Sequence, residues 1–299
     1  MRIAAVIAGI LVALGCSAAR SRVALKPDST GHLLVPVWVN GRGPYSFMLD
    51  TGADESAVYA WFASELHLPP GHTAQISGGT GDAEETTTRL DKLALDGWTI
   101  HHVDADTIPN RSDGVKIAGI AGADLLVGRL AELDTGCDSF SLLPLSADRV
   151  ERAGRNGTMI RAGSITGGKQ LTLPVTINGI AGVATLDTGA RSTMINYAFA
   201  KAAGVDPAGE AFRDGPPARG AVQNAIPTRV GPIGTVSFAG MVVRNTIARV
   251  VDLPVFNDDG YAHGYALNIG VDILKSVRLT IDYRGRRIWV APSSCPAIP

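Results

Sequence analysis

Leu-Asp-Thr-Gly occurs three times in this chain, at residues 49–52, 133–136 and 186–189. Each copy sets a carboxyl group beside a hydroxyl and a residue without a Cβ. Two such loops facing one another across a two-fold axis would hold their carboxyl groups about one hydrogen bond apart. Like-charge repulsion makes such a pair share one proton, so that one member acts as base on a water while the other acts as acid. For that chemistry three copies is one too many or one too few.

Internal repetition resolves the count. Residues 33–53, LLVPVWVNGRGPYSFMLDTGA, align with residues 171–190, LTLPVTINGIAGVATLDTGA, with a single gap. Pro36, Asn40, Gly41 and Asp50 fall on Pro174, Asn178, Gly179 and Asp187. A second block, residues 119–144, repeats as residues 267–292, pairing Gly122 with Gly270, Asp124 with Asp272 and Asp134 with Asp282. The middle Leu-Asp-Thr-Gly therefore sits where the other half reads Ile281-Asp282-Tyr283-Arg284. This makes Asp134 a turn residue, a common role for Asp followed by Gly, and leaves Asp50 and Asp187 as the chemical pair.

The elements that must position them follow the same order twice. An Asn-Gly hairpin turn (Asn40-Gly41, Asn178-Gly179) leads into the strand that ends at Asp. A short helix follows, in SAVYAWFASELHL and TMINYAFAKAAGV, on apolar residues at roughly helical spacing. Next come a Gly-rich polar stretch, two strands flanking Gly97 or Gly240, and the closing strand pair. With Gly at 35 of 299 residues and Val, Ile, Leu and Thr in short runs, the chain reads as all-β. The division is 1–15 signal, 16–30 arm, 31–147 first lobe, 148–168 linker, 169–292 second lobe and 293–299 tail. The linker has no sustained periodicity and reads as a solvated connection, its Arg149, Arg152, Arg155 and Arg161 as charged surface.

Both halves resemble the retropepsin-like aspartic protease family, and together they resemble the two-lobed arrangement of pepsin. The residues that carry the resemblance are Phe47 to Ala53 and Ala184 to Ala190, with Ile120-Ala121-Gly122 and Asn268-Ile269-Gly270 as the later apolar-Gly signature; Asn268 is a polar departure from it. The resemblance implies two retropepsin-like lobes packed as a pseudo-two-fold bilobal barrel, and an endopeptidase working through Asp50 and Asp187. It implies that Thr51 and Thr188 bond across the axis to the opposite loop. Gly52 and Gly189 let the loops approach, Ala53 and Ala190 complete them, and Phe47, Leu49, Thr185 and Leu186 form inner walls. Gly78, Gly79 and Thr80, and Gly220 in the stretch 215–220, lie where the family places flaps over substrate. The flap Tyr of pepsin-like enzymes is missing from both stretches. Asp54, after the first loop, would meet substrate or an Arg on the retroviral pattern, or simply begin a helix with Glu55. The implied partner is a peptide or protein substrate, with no cofactor and no metal.

The opening MRIAAVIAGILVALGC has the shape of a secretory signal. Its Ala13-Leu14-Gly15-Cys16 resembles a bacterial lipobox, which implies acylation of Cys16 and membrane attachment without a span; Ser17 then points to the outer membrane, with the lobes in the periplasm. An ordinary signal peptide with an incidental Cys is the other reading. Cys137 and Cys295 would pair in an oxidising compartment or stand as two thiols; their spacing does not choose.

A formal net charge of −1 gives no field for nucleic acid. The segment His101 to Asp106 puts His102, Asp104 and Asp106 on one strand face, but without a second ligand cluster it reads as a solvent-facing edge. There is no GxSxG, GxGxxG or Walker loop. Two other arrangements fit the same residues: an inactive peptide-binding pseudoprotease, and a protease whose lobes pair between two chains rather than within a monomer.

Overall fold

The computed structural model describes residues 22–165, 167–222, 224–257, 260–261 and 264–295. Cys16 and the signal lie outside them. The chain forms three sheets, two of eight strands and one of six.

Each eight-stranded sheet closes on itself. In the first lobe Leu33–Val39 pairs with both Arg42–Leu49 and Gly81–Leu95. The ring is completed through Gly119–Ala121, Ala57–Tyr59 and Trp98–Ile108. The second lobe repeats it with Leu171–Ile177, Ile180–Leu186, Ala266–Ile269, Met194–Ile195, Met241–Val250 and Ile226–Phe238. The all-β, bilobal barrel expected from the sequence is thus the observed fold.

Local chemistry accounts for the strands. Leu33, Val35, Val37 and Val39 are buried and alternate with more exposed residues, the period of two that turns one strand face into a barrel. Asn40 and Gly41, and Asn178 and Gly179, have positive φ, the conformation a tight hairpin requires and Asn-Gly tolerates. The expected helices are present but short, Ala60–Glu65 and Tyr197–Ala202, because the residues before them enter the barrels as strands.

The six-stranded sheet joins the lobes. Its antiparallel order is Val23–Ala24, Ser139–Pro144, Arg129–Asp134, Val277–Asp282, Arg287–Pro292 and Thr158–Arg161. The central pair crosses between halves, with Leu133 opposite Leu279. One apolar cluster runs through it from Leu49 and Phe62 to Leu186 and Phe199.

This sheet corrects the reading of residues 148–168 as an irregular connection. They contain most of the helix Ala147–Asn156 and the edge strand Thr158–Arg161. That strand pairs with the second lobe's terminal hairpin just as Val23–Ala24 pairs with the first lobe's. The segment is the second lobe's copy of the N-terminal arm, masked in sequence by its Arg and Gly content.

Asp134 sits at a turn within this sheet, as the repeat required. It caps the turn Thr135–Cys137 and accepts bonds from Ser293 Oγ and from Ser294 N and Oγ. A disulfide between Cys137 and Cys295 holds the chain end to the same turn. Among the described residues no helix is long and apolar enough to cross a membrane.

Candidate active site

The strands Arg42–Leu49 and Ile180–Leu186 each end at an Asp. Asp50 N and Asp187 N donate to Ala121 O and Ile269 O, both at 3.0 Å, so each loop leaves its barrel from a parallel strand pair. Gly122 and Gly270 allow that crossing: a Cβ would stand 2.5 Å from Glu55 O and 2.7 Å from Ala190 O. Beneath each loop a hydroxyl strut reads the same way twice. Ser56 Oγ donates to Asp124 and accepts from Gly122 N, and Thr193 Oγ1 donates to Asp272 and accepts from Gly270 N. Ser56 and Thr193 were missed in sequence, although each is a hydroxyl residue six positions past its Asp in the aligned repeats.

The two loops meet within one chain. Thr51 Oγ1 donates to Leu186 O at 2.7 Å, and Thr188 Oγ1 donates to Leu49 O at 2.6 Å. Each hydroxyl also accepts the other Thr's backbone N–H at 3.1 Å. All four bonds are buried, where an unmade partner would be costly.

Asp50 and Asp187 are thereby brought within direct electrostatic reach of each other. Gly52 N donates to Asp50 Oδ1 at 2.8 Å and Ala190 N to Asp187 Oδ1 at 2.9 Å. Burial, then the Asp187 charge, holds the Asp50 carboxyl well above the ordinary carboxylate value. Burial raises Asp187 as well, against the bond from Asn268 and the contact with Asp50, which favour its ionised form. Such a pair keeps one proton over a pH range where two isolated carboxylates would hold none.

Each loop is braced by the turn that precedes the other lobe's first strand. Gln170 Nε2 donates to Gly52 O at 2.8 Å, and Arg191 Nη1 donates to Thr30 O at 3.1 Å. Asp54 accepts from Gln170 N, and Glu55 pairs with Lys169. Asp54 thus holds a turn of the opposite lobe rather than an Arg or a helix start.

The wall residues differ from expectation. Phe47, Leu49 and Leu186 point into the barrel cores, and Phe47 packs edge-on against Phe62. Strand alternation turns Met48 the other way, into a cluster with Tyr59, Ile76 and Ile120 that also touches Ala53, Ala221 and Val222. Thr185 is polar in action: its hydroxyl donates to Asn268 Oδ1 at 2.7 Å.

The two Gly-rich stretches meet. Gly78 pairs with Gly81 around a tip of Gly79 and Thr80, and Gly220 N donates to Thr80 Oγ1 at 3.1 Å. Asn224 Nδ2 reaches Thr80 O at 3.4 Å. Gln170 and Asn224 were missed in sequence, because no repeat or motif distinguishes them from ordinary polar residues, and Thr185 was read as a wall residue rather than as a donor to Asn268. Among the described residues there is no group of three or more His, Cys, Asp or Glu placed to hold a metal ion.

None of the curated proteins compared with the chain matches it. Residues 35–125 and 173–272, one stretch in each lobe, both match the family model described as aspartyl protease. With both Asp-Thr-Gly loops and nearly all of both barrels inside those stretches, the chain belongs to the retropepsin-like aspartyl protease family.

Proposed function

We propose that this chain is an aspartic endopeptidase that hydrolyses peptide bonds with a water activated between Asp50 and Asp187. The observation that supports the reading is a half-buried pair of facing carboxyl groups at the meeting of two lobes, each packed against the other loop's glycine. The ionised member takes a proton from water as its oxygen bonds to the scissile carbonyl carbon, and the protonated member gives its proton to the carbonyl oxygen. Collapse of the resulting diol breaks the C–N bond, sends a proton to the leaving nitrogen and returns one to the pair. The apolar cluster of Met48, Ile76 and Ile120 beside the loop favours apolar substrate side chains.

The test is cleavage of a mixed-sequence peptide library by the purified protein from acidic to neutral pH. Asp50→Asn and Asp187→Asn should each lose about 10²-fold or more of the rate while keeping the wild-type circular dichroism. A library left intact by wild type, or cut equally well by either variant, overturns the proposal.

The same reading places the enzyme in a bacterial cell envelope as a lipoprotein acylated at Cys16, facing the periplasm from the outer membrane. The Leu-Gly-Cys motif supports it, and so does the Cys137–Cys295 disulfide, since such bonds persist in oxidising compartments. Labelled palmitate should enter wild type and not Cys16→Ser; equal labelling sinks the assignment.

A further inference from the structure

The two lobes present different side chains to their carboxyl groups. Thr185 and Asn268 are register partners on parallel strands of the second lobe, and Met48 and Ile120 are the corresponding partners in the first. Backbone donors are balanced, Gly52 N to Asp50 and Ala190 N to Asp187. The side-chain donors are not. Asn268 Nδ2 lies 2.5 Å from Asp187 Oδ2, whereas Met48 and Ile120 carry no donor for Asp50.

The amide has its orientation fixed. Thr185 Oγ1 donates to Asn268 Oδ1 at 2.7 Å, so the oxygen end is taken and the N–H end must face Asp187. Thr185 Oγ1 is in turn 3.2 Å from Tyr261 Oη, which holds the hydroxyl in place. An N–H donor bonds the charged form of a carboxyl group more strongly than the neutral form. Asn268 is itself buried, so water does not compete for the bond.

We propose that Asn268 is a positioning residue that divides the labour of the pair, holding Asp187 ionised as the base and leaving the shared proton on Asp50 as the acid. The proposal rests on the proteolytic reading for its consequence in catalysis, but the proton's location is a property of the folded protein alone. The raised state of Asp50 and the bond that favours ionised Asp187 agree with it.

The test is a pH titration of the aspartate carboxyl carbons by 13C NMR, with the pH profile of kcat/KM on a cleaved peptide measured beside it. The proteins are wild type, Asn268→Ile, Thr185→Val and Thr185→Ser. Asn268→Ile gives the second lobe the first lobe's residue and removes the donor. The lower apparent pKa of the pair should rise by about one unit or more, the scale of one hydrogen bond to a charged group, and the acidic limb of the rate profile should move up with it. Thr185→Val, which frees the amide to flip, should shift both in the same direction by less, and Thr185→Ser should restore wild-type behaviour.

An unmoved lower pKa in folded Asn268→Ile overturns the proposal, as does a Thr185→Ser shift equal to that of Thr185→Val. If Asn268→Ile does not fold, the Thr185 pair decides on the same criterion. A protein that cleaves no peptide yet shows the NMR shifts would remove the proteolytic reading and leave the role of Asn268 standing.

Discussion

Gly189 faces the Asp50 carboxyl group so closely that a side chain there would occupy the same space: its Cβ would stand 2.7 Å from Asp50 Oδ1. Gly52 stands to Asp187 in the same way, with Cγ at 2.7 Å. Each lobe thus leaves out a side chain to make room for the other's carboxyl group. Gly189→Ala should displace Asp50 rather than prevent folding, since φ at Gly189 lies outside the left-handed range. We expect kcat/KM to fall about 10²-fold, the scale of an ångström of misplacement, with a melting temperature near wild type. An active Gly189→Ala would mean that the pair tolerates separation.

The cross-lobe hydroxyls make a separate prediction about stability. Thr188→Val leaves Leu49 O and Thr51 N without their buried partners. Urea denaturation should show a loss of about 1–3 kcal/mol, and Thr188→Ser should recover most of it. A Thr188→Val protein as stable as wild type would show that these buried bonds add no net stability.

The proton held by Asp50 ties stability to pH. Its folded value lies above the ordinary 3.8, so the folded state binds a proton that the unfolded chain gives up. That contribution is whole below about pH 3.8 and is lost as pH rises through the raised folded value. Asp50→Asn carries no charge and escapes this loss. Its melting temperature relative to wild type should therefore climb as pH is raised from 4 to 7, as differential scanning fluorimetry can follow. A constant difference across that range would show that Asp50 ionises freely.

The disulfide should matter to the shared sheet more than to the chemistry. Cys137 and Cys295 lie 158 residues apart, and their bond fastens the chain end beside Asp134. Cys295→Ser should cost about 2–4 kcal/mol of stability in denaturant titrations under oxidising conditions. The cost should vanish when wild type is measured with reductant.

Much of this was legible from repetition. The register of the second block took Asp134 out of the chemistry by pairing it with Asp282, and both Asp residues do cap turns at strand ends in the central sheet. Asn-Gly located both hairpins because that pair accepts two positive φ values in succession more readily than most. The walls were misjudged at Phe47 and Leu49, although strand alternation alone puts Met48 on the opposite face. Residues 158–161 were missed for a different reason: their partner strand, Arg287–Pro292, lies more than 120 residues away, and nothing local in Thr-Met-Ile-Arg announces a sheet edge. Asn268 was visible as a polar departure, but its meaning depends on Thr185 turning the amide, which no linear pattern records.

The sheet that crosses between the lobes also governs how a polypeptide reaches the carboxyl pair. Backbone pairing of Arg129–Asp134 with Val277–Asp282 welds the halves together, so the jaws cannot swing apart without breaking a continuous ladder. The way in lies through the two Gly-rich loops that touch at Thr80, where the bonds from Gly220 N and Asn224 Nδ2 must part. For the proteolysis proposed above, an aperture of that kind admits a threaded, extended stretch of chain and turns away a folded domain. Conformation of the victim, before any preference for its side chains, would then decide what is cut.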